Sequence, residues 1–325
     1  MQTTIVIPNY NGMQYLEECL RTLHADIKDY HAPIIIVDNG STDGSVQWIK
    51  SNYPQVELIT LTTNTGFCNA VNVGIKKART PYVILLNNDT KVKLGFTKTL
   101  TNTIHSSKNI FSVSAQMLDM KNEDIIDNAG DLYTALGWAF ARGKGRKADE
   151  WNKSARIFSA CGGASIYRKE IFERIGYFDE EHFAYLEDVD IGWRARIYGY
   201  INLYEQGAKV LHAGSAVSGS RYNNFKVELS SANSVYMIGK NMPLLQILFN
   251  LPFLIPGFFI KTLFFIRKGM GVTYMNGCIK GFLRCFSKEG RKHKVKFHFV
   301  NLPNYLILQL ELWKNMILRF IDGRI

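Results

Sequence analysis

No two of the five cysteines, at positions 19, 68, 161, 278 and 285, stand in C-x-x-C spacing, and their number is odd. A disulfide framework and a cysteine zinc site are therefore not expected, and a reducing compartment fits best. The opening residues Met-Gln-Thr-Thr-Ile-Val-Ile-Pro lack a basic stretch followed by an apolar one, so they read as a first strand and not as a signal peptide. The turn after that strand lacks G-x-G-x-x-G, which argues against a dinucleotide-dependent dehydrogenase. Residues 1–235 lack any excess charge, with 25 Lys/Arg against 25 Asp/Glu. Internal repeats and low-complexity linkers are absent.

The whole net charge of +11 sits in residues 236–325, which carry 14 Lys/Arg and 3 Asp/Glu. An even basic surface would suit nucleic acid. A basic tail rich in Phe, Leu and Ile points instead to an anionic membrane surface, with no nucleic-acid partner. Within it Leu244–Ile266 has one lysine, no acid and about the length of a membrane span. Pro243, Pro252, Pro256 and Gly257 interrupt this stretch, so a broken helix lying in the membrane interface is the leading expectation. A true span, or a helical hairpin buried in the protein or in a dimer contact, are the other readings. The cluster Arg284, Lys288, Arg291, Lys292, Lys294 and Lys296 follows, placed to meet lipid headgroups. The length of 325 residues accommodates two units, expected at 1–235 and 236–325.

Strand and helix patterns alternate over the first ninety residues. Thr4–Pro8, Pro33–Asp38, Val56–Leu61 and Pro81–Leu86 are apolar strands; Met13–Ala25, Asp43–Ser51 and Cys68–Ala78 carry helix-spaced apolar positions. Strands this apolar are covered on both faces, which predicts an α/β fold around a mostly parallel sheet. Lys91–Ser107 reads as one helix, and the Gly-rich, aromatic Asp127–Gly145 as a loop or hairpin.

Chemistry concentrates where strands end. Pro8-Asn-Tyr10-Asn11-Gly12 follows the first strand, at the sheet edge where α/β folds bind nucleotides. Tyr10 can pack on a base and Asn11 can bond it. Asp38, just past the second strand, can accept from a pyrimidine imide N–H, while Ser41, Thr42 and Asp43 suit a helix cap. Asn64-Thr-Gly66-Phe-Cys-Asn69-Ala-Val-Asn72 enters a helix whose N-terminus favours anions; Asn69 and Asn72 share a face and can reach ribose or phosphate. The fourth strand ends in Asn87-Asn88-Asp89, polar ligands suited to a divalent cation and a diphosphate. Later, Glu187-Asp188-Val-Asp190 opens a helix. Three carboxylates within four residues repel and raise at least one pKa, which suits a general base, although dipole complementation alone would also place them there. Asp190 can instead pair with Arg194 or Arg196. His212 ends a short apolar strand.

Taken in order, these segments resemble the family 2 glycosyltransferases, and more narrowly the bacterial rhamnosyltransferase-like branch that builds surface polysaccharides. The resemblance runs over roughly residues 1–235, including Ser159–Arg168 and Phe183–Arg194. It implies the GT-A, Rossmann-like fold, a nucleotide-sugar donor, Mn²⁺ or Mg²⁺, and inversion at the anomeric carbon. On it, Pro8, Tyr10, Asn11 and Asp38 hold the base, and Gly66 and Asn69 lie near ribose and phosphate. Asn87-Asn88-Asp89 stands where the family often has Asp-x-Asp, with Asn87 replacing the first carboxylate. Asp188 becomes the base, with Asp89 and His212 the metal ligands. The expected donor is dTDP-rhamnose, with UDP-hexoses and UDP-galactofuranose as alternatives. The expected acceptor is a lipid-linked saccharide at the cytoplasmic face of the cell membrane. Asp127–Gly130 and Tyr133–Gly145 are placed near the acceptor by position alone. A nucleotidyltransferase, or a non-catalytic membrane scaffold retaining the fold, are the competing readings.

Overall fold

The structure, a computed structural model, describes residues 2–214 and 222–321; Ser215, which follows the His212 segment, lies outside them. Strands β1 (Thr3–Asn9), β2 (Ile34–Asp38), β3 (Glu57–Thr60) and β4 (Tyr82–Leu86) alternate with helices α1 (Met13–Ile27), α2 (Ser45–Asn52) and α3 (Phe67–Lys77). Successive side chains of β1 point to opposite faces: Ile5 and Ile7 pack with Leu16, Leu20 and Leu23 of α1, and Val6 with Val71 and Ile75 of α3. Every residue of β2 and β4 is buried, which accounts for their unbroken apolar runs.

The single helix expected over Lys91–Ser107 is instead β5 (Thr90–Val92), a turn, and α4 (Phe96–His105). Thr90 and Val92 are β-branched, and a later strand captures them; Gly95, at φ +88°, then redirects the chain into the helix. There follow β6 (Ile110–Asp119), β7 (Asn122–Asn128), a hairpin of β8 (Asp131–Tyr133) and β9 (Ala139–Ala141), β10 (Ala155–Ile157), β11 (Ala164–Arg168), α5 (Lys169–Ile175), α6 (Glu187–Ile197) and β12 (Ile201–His212). The main sheet runs β10-β12-β6-β11-β4-β1-β2-β3, with β5 on β12 and β7 on β6. Pairing is parallel along β3-β2-β1-β4 and between β6 and β12; β11 runs antiparallel to both β4 and β6, so the sheet is mixed beyond β4. Helices flank it, in the α/β architecture that the sequence predicts.

The C-terminal region is helical: α7 (Asn224–Asn241), α8 (Leu244–Arg267), α9 (Gly271–Phe286), α10 (Lys288–Lys292) and α11 (Leu302–Ile321). Residue 235, the expected boundary, falls inside α7. The breaks expected at Pro252 and Pro256 do not occur, and α8 continues through both prolines. Each proline forfeits a helix hydrogen bond, and tertiary contacts hold the helix instead. The Trp138 indole donates to the Gly257 carbonyl at 3.0 Å. The helix also lies so close to the β8–β9 turn that a Cβ on Gly257 would sit 2.2 Å from the Leu136 carbonyl oxygen. By length and composition α8 is long enough to cross a membrane, and only 17% of its most apolar window is buried. Leu245, Ile255, Phe282, Phe299 and Leu310 are likewise exposed, so α8, α9 and α11 leave much apolar surface uncovered.

Candidate active site

The loops after β1, β2 and β4 meet at one end of the sheet. Asn9 ties them together. Its amide donates to Asp38 Oδ2 at 2.8 Å and Ser45 Oγ at 3.0 Å, and its carbonyl accepts from Asn88 Nδ2 at 2.7 Å. Above this knot opens a cavity of about 620 Å³ lined by Pro8, Tyr10, Asn87, Asn88, Asp89, Asp188 and His212. Seven of the expected site residues are thereby brought together from across the chain.

The other four are not on its wall. Asp38 is buried, and its carboxylate accepts from Asn9 and from the Ser41 N–H at 2.9 Å. Asn11 accepts from the Thr42 N–H at 2.8 Å and so joins two loops. At Gly66, with φ +89°, the close approach comes from the chain itself, since a Cβ would lie 2.6 Å from the Phe183 ring. Asn69 is half-buried away from the cavity. Its neighbour Asn72, expected to reach ribose or phosphate, is buried and bonded to both the N–H and the carbonyl of Phe178. The cap expected from Ser41, Thr42 or Asp43 is not formed: Gly44 is the N-cap of α2 with no side-chain cap bond, and Asp43 accepts from Ser45 N at 3.1 Å and from Met13 N, in α1, at 2.8 Å.

Register explains the meeting of Asp89 and His212. β5 pairs antiparallel with the end of β12, placing His212 opposite Thr90. His212 Nε2 then lies 3.5 Å from Asp89 Oδ1, and its Nδ1 lies 2.8 Å from Asp127 Oδ2. Asp89 Oδ1 is buried with no hydrogen-bond partner among the described residues. Burial disfavours a charged imidazole, but the bond to Asp127 and the negative charge of nearby Asp89 outweigh it and raise the His212 pKa to about 9. For Asp127, burial is outweighed by the bonds to His212 and Lys144, and its pKa falls to about 2.

Opposite chemistry prevails at the start of α6. Asp188 accepts from the Gly162 N–H at 3.2 Å and the Val189 N–H at 2.8 Å, yet burial raises its pKa. Glu187 is raised well above the usual carboxylate range by burial and by Asp188, and its Oε2 is buried without a partner among the described residues. Asp131, on β8, is raised by burial and again by Asp188. Carboxylate oxygens of Asp131 and Asp188 and the Cys161 Sγ all lie within 4.8 Å of one another. Burial keeps the Cys161 thiol protonated, a poor ligand for a hard cation. Asp89 and His212, with the orphaned Oδ1 of Asp89 facing Nε2 of His212 at 3.5 Å, fit a divalent cation better.

Asp190 has no base role open to it. It is buried and bonded to Arg194 Nε at 3.0 Å, Lys240 Nζ at 2.8 Å and Asn241 Nδ2 at 2.8 Å. Arg196 turns instead to Glu311. The residues just before α6 carry backbone strain: Phe183, Tyr185 and Leu186 all have positive φ, at +58°, +69° and +66°. Asn233 of α7 steadies them, its amide reaching the carbonyls of His182, Ala184 and Tyr185 at 2.8–2.9 Å. Arg284 of α9 bonds to Asn233 in turn, at 2.8 Å.

The sequence reading missed Asn9, Asn39, Asn64, Glu187, Tyr222, Lys226 and Phe265 on the cavity wall, and Asp131 and Asn233, which contact the same segments; it placed Asp127 near the acceptor and not beside His212. Asn9, Asn39 and Asn64 were legible in the segments after β1, β2 and β3, and Glu187 as half of the Glu-Asp pair. The others carry no local signal, because elements distant in sequence bring them in.

A model of the family described as glycosyl transferase family 2 matches residues 4–176. The chain is 25% identical over 233 residues to the N-acetylglucosaminyl-diphospho-decaprenol L-rhamnosyltransferase of Mycobacterium tuberculosis, covering 64% of this chain and 75% of that protein. It is 26% identical to the low-salt glycan biosynthesis hexosyltransferase Agl10 of Haloferax volcanii, covering 86% and 89% respectively. Among solved structures it superposes on GalNAc-T7 with UDP, GalNAc and Mn²⁺ at a TM-score of 0.59 and 16% identity, covering 74% of this chain and 48% of that one. That likeness shows the fold.

Proposed function

The chain belongs to glycosyl transferase family 2, and on that premise we propose that it transfers a sugar, rhamnose first, from a nucleoside-diphosphate donor to a lipid-linked saccharide during surface-polysaccharide synthesis. The observation that carries this reading is a half-buried carboxylate, Asp188, held by two backbone N–H groups, raised in basicity by its surroundings, and lining the same cavity as Asp89 and His212.

Asp188 acts as general base. Its two backbone N–H bonds fix its direction, and its basicity suits removal of a proton from the acceptor hydroxyl as that oxygen attacks the anomeric carbon. Attack from the face opposite the departing diphosphate inverts the configuration. Tyr10 and Pro8 pack on the base, and Asn87 and Asn88 meet the donor. Asp89 and His212 hold the divalent cation, Mn²⁺ or Mg²⁺, which when bound offsets charge on the leaving diphosphate. The Mn²⁺ and UDP in the GalNAc-T7 structure and the diphospho-decaprenol acceptor of the mycobacterial relative support these assignments by likeness. The donor is dTDP-rhamnose or a UDP-sugar, since thymine and uracil offer the same imide edge. The exposed apolar faces of α8, α9 and α11, with Lys288, Arg291, Lys292 and Lys296 beside them, hold the enzyme peripherally on the cytoplasmic face of the membrane, where the acceptor lipid lies.

The test is donor turnover with dTDP-rhamnose and UDP-hexoses, with and without Mn²⁺, for wild type and Asp188→Asn. We expect release of the nucleoside diphosphate, and a loss of ~10²–10⁴-fold in the variant. Release of pyrophosphate would make the protein a nucleotidyltransferase. Turnover absent from the wild type would leave a scaffold, and turnover retained by a folded Asp188→Asn would remove Asp188 as the base.

A further inference from the structure

We propose that Asp127, which nothing in the family resemblance assigns, is a positioning residue that holds His212 with its Nε2 aimed at Asp89 as a ligand for the divalent cation. The proposal rests on the reading that Asp89 and His212 hold the cation.

Asp127 is the penultimate residue of β7, and β7 and β12 both pair with β6. His212, the last residue of β12, stands level with Asp119 of β6. Asp119 begins the short turn that carries the chain into β7. Asp127 and His212 therefore meet through strand pairing, although 85 residues separate them, with Oδ2 and Nδ1 2.8 Å apart. The other Asp127 oxygen bonds to Lys144, on the Gly-rich segment after β9. The carboxylate is thus held from both sides, and only one direction remains for the imidazole.

A histidine that gives its Nδ1–H to a carboxylate presents Nε2 as the lone-pair nitrogen once its second proton has been displaced, as metal binding requires. Metal-bound histidines are usually oriented in this way. Here Nε2 faces Asp89 Oδ1, a buried oxygen without a hydrogen-bond partner among the described residues, 3.5 Å away. One nitrogen and one oxygen are therefore aimed at each other, and among the described residues the imidazole itself is the proton donor that faces the carboxylate. Asp127 has no place on the wall of the substrate cavity. Its effect passes through His212.

The experiment is Mn²⁺ binding to the full-length protein in the presence of UDP, followed by electron paramagnetic resonance, with the coupling of bound Mn²⁺ to imidazole nitrogen read by pulsed methods. No turnover is measured. Asp127→Ala should weaken Mn²⁺ binding 10–100-fold and diminish the nitrogen coupling. Asp127→Asn, which keeps an oxygen acceptor for Nδ1–H, should retain the coupling and lose less affinity. In a His212→Ala background, Asp127→Ala should add little. Should Asp127→Ala prove unfolded by circular dichroism, Asp127→Asn against His212→Ala decides: the proposal falls if Asp127→Asn loses the coupling as completely as His212→Ala. It also falls if Asp127→Ala leaves affinity and coupling intact, or weakens binding equally with His212 absent. If wild type shows no bound Mn²⁺, the cation reading itself falls and takes this inference with it. If wild type binds and only the Asp127 comparison fails, the cation reading stands.

Discussion

Lys240→Met tests whether the C-terminal helices are part of the catalytic machinery or an appendage to it. The Lys240 side chain is 2% exposed, and its ammonium bridges Asp179 Oδ2 at 2.6 Å and Asp190 Oδ2 at 2.8 Å. Methionine keeps most of the apolar stem and deletes the charge. Two buried carboxylates then lose their shared cation, leaving Asp190 with Arg194 and Asn241, and Asp179 with His293 and Tyr236. Breaking a buried pair in this way costs about 3–5 kcal/mol. With an unfolding entropy of ~2.1 cal/mol/K per residue, a chain of 325 residues converts ~4 kcal/mol into a Tm drop of about 6 °C. The effect should extend to turnover. Lys240 on α7 bonds directly to Asp190 on α6, two residues from Asp188, and α7 also steadies the strained 183–186 segment through Asn233. The assay is calorimetric unfolding beside donor turnover. In the double variant Asp179→Asn/Lys240→Met one orphaned charge is gone, so part of the loss should return. A Lys240→Met protein melting within ~1 °C of wild type would refute the argument, because a desolvated pair cannot be removed that cheaply.

Acid should act on the same cluster. In Asp179 burial is outweighed by His293 and Lys240, and in Asp190 by Lys240 and Arg194, so both carboxylates titrate well below their ordinary range. Groups depressed by folding contribute stability that is present above the unfolded value of ~3.9 and lost as pH falls through the folded values. Tm should therefore fall as pH drops below about 4, and the deficit of Lys240→Met should narrow there; a deficit constant from pH 7 to pH 3 would contradict the assignment. Flotation with vesicles checks the membrane face. Wild type should float with phosphatidylglycerol at low salt, and Lys292→Gln/Lys296→Gln should weaken binding by ~30-fold, at ~1 kcal/mol per basic residue. Failure of the wild type to float would remove the membrane from the proposed function.

The strands β1, β2 and β4 were legible because burial on both faces needs long apolar runs, and the polar residues after them stood out against those runs; β3, at the sheet edge, is half-buried or exposed throughout. For the same reason Tyr10, Asn88, Asp89 and Asp188 could be picked out as cavity residues: a polar group just beyond a buried strand, or an acidic cluster at a helix start, is a local pattern. Asp38 and Asn11 have that pattern too, but the structure uses them to bind neighbouring loops. A side chain at a strand end can face ligand or loop, and spacing along one strand does not distinguish the two. Residues 90–92 and the two prolines of α8 were misread for a related reason. Local propensity is weak beside a waiting strand partner or a closely packed neighbour.

The order of polar motifs along the chain, the α/β alternation and the separation of neutral front from basic, apolar back were determined by the sequence itself, since each is a property of neighbouring residues. The pairing of β5 with β12 that brings His212 to Asp89, the pairings with β6 that bring in Asp127, and the burial of Lys240 between Asp179 and Asp190 were decided only by the tertiary structure. These contacts join residues tens to more than a hundred positions apart. Their energy comes from desolvation and strand register, which exist only once the chain has closed on itself.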